Sequence, residues 1–103
     1  MISTVFRAGG TAVFRVAFKD EDGNAVVPNT ATWTLLRGGS VLNNRKDVSI
    51  TPAAVVDIVL SGNDLVGDIQ YLVVKGDYDS SLGSGLPLRQ WVSFNVEWLP
   101  AGA

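Results

Sequence analysis

The feature of this chain that most constrains its fold is a hydrophobic period of two residues. Five segments alternate apolar side chains with others in this way, at 11–19, 32–37, 55–60, 69–78 and 88–98. Successive side chains of a β-strand point to opposite faces of a sheet, so each segment predicts a strand with one buried face. The best candidate for a helix, 52–60, is rich in valine and isoleucine, which favour strands.

Residues that favour turns separate these segments. The intervening stretches read "DEDGN", "PNT", "RGG", "SGND" and "SSLGSGLP", and their glycine, asparagine, aspartate and proline residues are typical of chain reversals. Two short segments, 2–7 and 47–51, predict additional edge strands. Short strands at this spacing predict an all-β sandwich of about seven strands.

The alternation also predicts which side chains face the core. The predicted inward residues are Phe14, Val16 and Phe18; Trp33 and Leu35; Val56, Ile58 and Leu60; Ile69, Tyr71 and Val73; and Leu88, Val92, Phe94, Val96 and Trp98. Trp33 and Tyr71 stand where immunoglobulin-like sandwiches carry a buried tryptophan and a tyrosine corner. The pattern therefore resembles an immunoglobulin/fibronectin-III-like β-sandwich, and the absence of cysteine means that it has no disulfide.

Composition and charge narrow the function classes. With 103 residues, of which 47% are apolar and 17% charged, the chain is predicted to fold as one domain over 1–103. The net charge is −2 and the eight lysines and arginines are scattered, so there is no basic stripe for nucleic acid. No segment approaches the ~18 apolar residues of a membrane-spanning helix. We therefore expect neither nucleic acid nor membrane as a partner.

The stretch "FKDEDGNAVVP" at 18–28 places three acids in consecutive positions. An EF-hand calcium loop counted from Asp20 would need glycine at its sixth position and glutamate at its twelfth, but Ala25 and Ala31 stand there. A metal bound by isolated carboxylates would need help from another loop. Because Gly and Asn adopt positive φ at little cost, the stretch predicts a turn between strands, and no metal ligands.

The sequence contains few of the residues that enzymes commonly use for catalysis. Histidine and cysteine are absent, which removes the usual general base and the thiolate nucleophile. No serine stands in a nucleophile motif, and "AGG" at 8–10 lacks the residues of a phosphate-binding loop. We expect no enzyme activity and no cofactor.

A second acidic stretch, "KGDYDSSLGSGLP" at 75–87, predicts a long loop rich in glycine and serine. In a sandwich this loop would join the last two strands at one end, where binding residues are often presented. Asp77, Tyr78, Asp79 and Leu82 are the candidate contact residues, and a mobile hairpin loop is the alternative interpretation.

The faces predicted to point away from the core carry a candidate interface. If the topology is immunoglobulin-like, Leu36, Leu72, Val74 and Trp91 share the outer face of one sheet. Contiguous apolar surface of this kind marks interaction sites, and tryptophan is enriched among binding hot spots. The sequence therefore predicts self-association or docking onto another protein through this sheet, with a homo-oligomer expected.

The stretch "AGGTAVFRVAFKDEDGNAVV", followed by "ATWTLLRGG", resembles the opening of small immunoglobulin-like phage virion proteins. It is also similar to immunoglobulin-like modules of bacterial surface proteins, and the resemblance covers roughly residues 5–37. It implies a virion structural role in capsid decoration, head–tail joining or the tail, in a protein made in the host cytoplasm. The alternative that it implies is a surface module that binds carbohydrate or protein.

Overall fold

The computed structural model describes residues 5–97, which form eight strands and one 3-10 turn in two sheets. The strands are β1 (Val5–Arg7), β2 (Thr11–Ala17), β3 (Thr30–Arg37), β4 (Ser40–Val41), β5 (Val48–Ser49), β6 (Val55–Ser61), β7 (Asp68–Ser80) and β8 (Gly83–Glu97). The 3-10 turn is Gly62–Asp64. No helix in this part of the chain is long and apolar enough to cross a membrane.

The strands divide between a large sheet and a small sheet. The large sheet has the order β1-β8-β7-β3-β4, with β5 also paired to β3, and the small sheet consists of β2 and β6. Strand β1 runs parallel to β8, and the other pairs are antiparallel. The predicted all-β sandwich is confirmed, and the short strands β1 and β5 lie within the two predicted edge segments.

The core lies between the two sheets. Phe18, Leu35, Leu60, Leu65 and Leu72 are its most deeply buried apolar side chains. Burying a side chain of this kind contributes ~1.5–3 kcal/mol, so the alternating pattern is the main source of stability.

Aromatic side chains complete this core. The rings of Phe6, Phe14 and Phe94 pack together with centroids 4.9–5.6 Å apart. Trp33 is 9% exposed, which confirms its predicted place in the core. Trp98, the other tryptophan predicted to be buried, lies outside the described residues.

Strand β7 faces the opposite way to its prediction. Gln70, Leu72, Val74 and Tyr78 point into the core, whereas Tyr71 lies on the outer face with 40% of its surface exposed. Tyr71 is therefore not a buried tyrosine corner, and that prediction is wrong.

The physical reason for this reversal is the side chain of Gln70, which is completely buried. Its Oε1 accepts a hydrogen bond from the backbone N–H of Val66 at 2.9 Å, and its Nε2 donates to the carbonyl of Asp64 at 2.8 Å. A buried amide is tolerated when its donors and acceptors are used. A polar residue consequently occupies an inward position, and the apolar residues beside it point outward.

The acidic stretch near residue 20 is a turn, as predicted. The backbone N–H of Asp20 donates to the carbonyl of Asn24 at 2.9 Å, and Lys19 pairs with Ala25 across the reversal. Gly23 has a φ of 81°, the left-handed conformation that glycine adopts at little cost.

The predicted long loop at 75–87 is wrong. Strands β7 and β8 continue through it and meet at a two-residue turn, Ser81–Leu82, with Ser80 paired to Gly83. Gly85 adopts a φ of 63° inside β8, and the register shifts between Tyr78 and Ser80. Glycine in this stretch therefore marks an irregularity within a long hairpin rather than a loop.

Candidate interaction surfaces

The four residues of the predicted interface separate into two groups. Leu72 and Val74 are 1% and 4% exposed and belong to the core, so their predicted outward placement is wrong. Leu36 and Trp91 lie on the outer face of the large sheet, as predicted; Leu36 is half-buried and Trp91 is 71% exposed. The error follows from the reversed facing of β7.

The outer face of the large sheet nevertheless carries an apolar patch, which we call the Trp91 face. It consists of Leu36, Ile69, Tyr71, Val73 and Trp91. Cross-strand pairing sets Leu36 beside Tyr71 and Val73 beside Trp91, so these side chains are immediate neighbours. Directly paired apolar residues form continuous surface, unlike singly exposed ones.

One end of the Trp91 face is cationic. Lys75 and Arg89 are directly paired across β7 and β8, next to the Val73–Trp91 pair. Asp47 lies 4.0 Å from the Lys75 ammonium group. An apolar centre with charged groups at its margin is the usual anatomy of a protein-binding surface.

An apolar cleft opens at the edge of the sandwich, between β2 and β8. It has a volume of about 180 Å³, and its lining residues are Phe14, Arg15, Val16, Leu72, Val74, Gln90, Trp91 and Val92. Within residues 5–97, β2 pairs only with β6, so no strand closes this side of the small sheet. Gln90 Nε2 donates to the carbonyl of Ala17 at 3.1 Å across the opening.

The outer face of the small sheet is a second apolar surface, and the sequence prediction did not include it. Val13 pairs with Val59, and both are more than half exposed. The next outward pair is Arg15 with Asp57. Arg15 Nε donates to Asp57 Oδ1 at 3.0 Å, and Arg15 Nη2 donates to Asp57 Oδ2 at 3.4 Å. Val55 follows and is 51% exposed. The sequence feature that could have indicated this surface is the presence of apolar residues at odd positions of 11–19 and 55–60, on the faces opposite to the predicted core.

The contact between Arg15 and Asp57 shifts the pKa values of both groups. The hydrogen bond with Asp57 and its charge raise the pKa of the Arg15 guanidinium. The hydrogen bond from Arg15 lowers the pKa of the Asp57 carboxyl below its usual range. Both groups are therefore charged on this face at neutral pH.

Asp77 and Asp79, two of the predicted loop contacts, hold the hairpin in place. Asp77 Oδ1 accepts hydrogen bonds from the backbone N–H and the hydroxyl of Thr30, at 3.1 and 2.7 Å. Asp79 Oδ1 accepts from the backbone N–H of Gly85 at 2.8 Å and from Asn29 Nδ2 at 3.0 Å. The bonds from Gly85 and Asn29 lower the pKa of Asp79. These carboxylates are engaged within the chain.

The other two predicted contacts differ from each other. Tyr78 is buried, and its hydroxyl donates to Glu21 Oε1 at 3.1 Å, which also accepts from the hydroxyl of Ser80 at 2.8 Å. Burial raises the pKa of Tyr78, and Glu21 adds to this effect. Leu82 is at the tip of the hairpin with 74% of its surface exposed. Leu82 alone of the four predicted contacts presents its side chain to solvent at the tip.

The acidic triad Asp20, Glu21 and Asp22 lies on the turn, and two of its carboxylates accept hydrogen bonds from within the chain. The three carboxylates lie within 4.8 Å of one another. However, Asp20 Oδ1 accepts from the backbone N–H groups of Asp22 and Asn24, at 3.0 and 2.9 Å, and Glu21 is bonded to the hairpin. These contacts stabilise the turn and its packing on β7, so the cluster has a structural explanation.

Comparison with known proteins adds no relative. No family model matches the chain, and neither a curated protein nor a solved structure matches it. Its own surfaces and the composition of its sequence are therefore the grounds for inferring its function.

Proposed function

We propose that this chain is a non-enzymatic structural protein of a bacteriophage or prophage virion, serving in capsid decoration, head–tail joining or the tail. It acts through protein–protein contacts, and the Trp91 face docks onto another protein of the particle. The observation that carries the proposal is the 71% exposure of Trp91, which lies beside its cross-strand partner Val73 and on the same face as Tyr71. The resemblance over residues 5–37 supports the virion setting.

The chemistry of the Trp91 face favours a protein partner. Tryptophan and tyrosine supply large contact areas and are enriched at binding hot spots. Burying each side chain of this type contributes ~1.5–3 kcal/mol before the costs of association are subtracted. The adjacent cations Lys75 and Arg89 favour a partner surface that carries carboxylates beside an apolar area.

Substitution of Trp91 by glutamate tests this role. The change removes the largest apolar contact and places a charge in the contact area, so we expect the variant to be lost from purified particles of the phage or prophage that encodes it. The wild-type chain should co-purify with those particles at a fixed copy number. The measurement is quantitative mass spectrometry of gradient-purified virions.

Val27→Glu is the matched control, because Val27 is 57% exposed but lies outside the Trp91 face. It should be retained in the particles. Retention of Trp91→Glu at the wild-type copy number would remove the role of this face, and absence of the wild-type chain from particles would refute the virion proposal. In that second case, binding of the purified chain to glycans or host proteins would favour the alternative of a surface binding module.

A further inference from the structure

We propose that the outer face of the small sheet is a self-association surface, on which a second copy of this chain packs with its Arg15 against the first copy's Asp57. We call it the Arg15–Asp57 face; its members are Val13, Arg15, Val55, Asp57 and Val59. It lies on the opposite side of the sandwich from the Trp91 face. The inference is independent of the virion role, since it concerns the purified chain alone.

The order of residues along the two strands makes this face complementary to itself. The outward pairs are Val13 with Val59, then Arg15 with Asp57, then Ala17 with Val55. A two-fold axis parallel to the strands exchanges β2 with β6 between the two copies. Each valine of the first pair then faces a valine of the second copy, and each Arg15 faces an Asp57.

Charge complementarity is what favours a second copy over an unrelated partner. The Arg15–Asp57 pair is neutral as a whole, and its side chains are 75% and 45% exposed. When two such pairs meet, each guanidinium lies between two carboxylates and each carboxylate between two guanidiniums. If the two-fold axis were instead perpendicular to the strands, within the plane of the interface, each Arg15 would face the other Arg15. The charges therefore also select how the two copies are oriented.

The size of the face predicts a weak association. Two strands of seven residues cover an area about 23 Å long and 10 Å wide, well below the ~800 Å² per partner of a standard stable interface. We therefore expect a monomer–dimer equilibrium that becomes measurable at about 0.1–1 mM protein. Sheets packed face to face lie about 10 Å apart, a distance that the long Arg15 side chain can bridge.

The test is a pair of charge reversals, Arg15→Asp and Asp57→Arg, measured separately and as an equimolar mixture by sedimentation equilibrium. Each variant alone has two like charges on the face, so its dimer dissociation constant should rise by about tenfold or more. In the mixture a doubly negative face meets a doubly positive one. We expect the mixture to form dimers at least as readily as the wild-type chain.

Recovery on mixing separates this proposal from a purely intramolecular role of the ion pair, because mixing cannot restore a pair within either chain. Arg89→Asp, a charge reversal on the large sheet, is the matched control and should leave dimerisation unchanged. Circular dichroism establishes that each variant is folded. A wild-type chain that stays monomeric at 1 mM, a dimer that both reversals leave intact, or a loss that mixing does not restore would each overturn the proposal.

Discussion

At the scale of single residues, the side-chain amide of Gln70 joins β7 to the segment that precedes it. It is completely buried and bonds backbone groups at residues 64, 66 and 67. Hydrogen bonds in such a low-dielectric setting are strong, and a missing partner there is costly. The amide therefore stabilises both the 3-10 turn and the facing of β7.

Gln70→Leu should be strongly destabilising, although leucine is apolar and similar in size. It leaves the N–H of Val66 and the carbonyl of Asp64 without their partner, at ~1–3 kcal/mol for each buried group. We expect the free energy of unfolding, measured with urea, to fall by about 2–4 kcal/mol. Gln90→Leu is the control, because Gln90 is exposed, and it should cost less than about 1 kcal/mol. Equal losses in the two variants would contradict this account.

Gln70 also explains why residue patterns predict some surfaces and not others. Alternation predicted Trp33 in the core and Trp91 outside it, and both placements agree with the structure, because most of the apolar residues of each of these strands share one inward face. In β7 the apolar residues occupy both faces, at Tyr71 and at Leu72. The inward side is decided there by one amide whose partners lie in another segment, and a local pattern contains no information about those partners.

At the scale of elements, the long hairpin of β7 and β8 depends on a close approach to β3. Gly76 is paired with Ala31 in β3, and a Cβ atom at this position would lie 2.4 Å from the carbonyl oxygen of Thr30. Gly76 and Thr30 both belong to strands that are paired in the sheet, so neither backbone can move independently. The absence of a side chain at Gly76 is thus a condition for the pairing of these strands.

Gly76→Ala should destabilise the fold by about 1–3 kcal/mol, the usual cost of inserting a methyl group into filled space. Gly83→Ala, in the same hairpin, is the control, because a Cβ there meets only the flexible end of Leu86 at 3.3 Å. Its effect should stay within about 0.5 kcal/mol. Thermal or urea unfolding measures both. If Gly76→Ala proved as stable as Gly83→Ala, the close contact with Thr30 would not limit the strand pairing.

The hairpin shows a second limit of sequence patterns. Glycine and serine are frequent in "SSLGSGLP", and this composition is typical of loops. The strands continue through it because Asp79 bonds Gly85 and Asn29, and because Tyr78 is buried against Glu21. The chain reversal in "DEDGN", by contrast, is closed by hydrogen bonds of Asp20 with Asp22, Gly23 and Asn24, which are near it in sequence, and its prediction is confirmed.

At the scale of the whole molecule, stability should depend on pH mainly at the extremes. Asp57 and Asp79 have pKa values below their ordinary range, the first because of Arg15 and the second because of Gly85 and then Asn29. Such a carboxylate favours the folded state above the pKa of unfolded aspartate, about 4. This contribution is lost as the pH falls through the lower folded value.

The alkaline side has the opposite sign. Burial, and then Glu21, raises the pKa of Tyr78, so the unfolded chain loses this proton first and stability falls above about pH 10. Without histidine, the urea midpoint should be nearly constant between about pH 5 and 8. Asp79→Asn should make the decline below about pH 4 shallower. A wild-type midpoint that fell as steeply between pH 8 and 5 as below pH 4 would be inconsistent with these pKa shifts.

The two outer faces of the sandwich point in opposite directions, and this arrangement has a consequence for assembly. A pair of copies joined through Arg15 and Asp57 would carry two Trp91 faces, which point away from each other. Such a pair is bivalent: once one face is attached, the other is held near a neighbouring attachment point at a high effective concentration. Attachment through a single Trp91 face could be too weak to persist, whereas the pair would link two adjacent subunits of a lattice. This link would be lost when the pair dissociated into single copies.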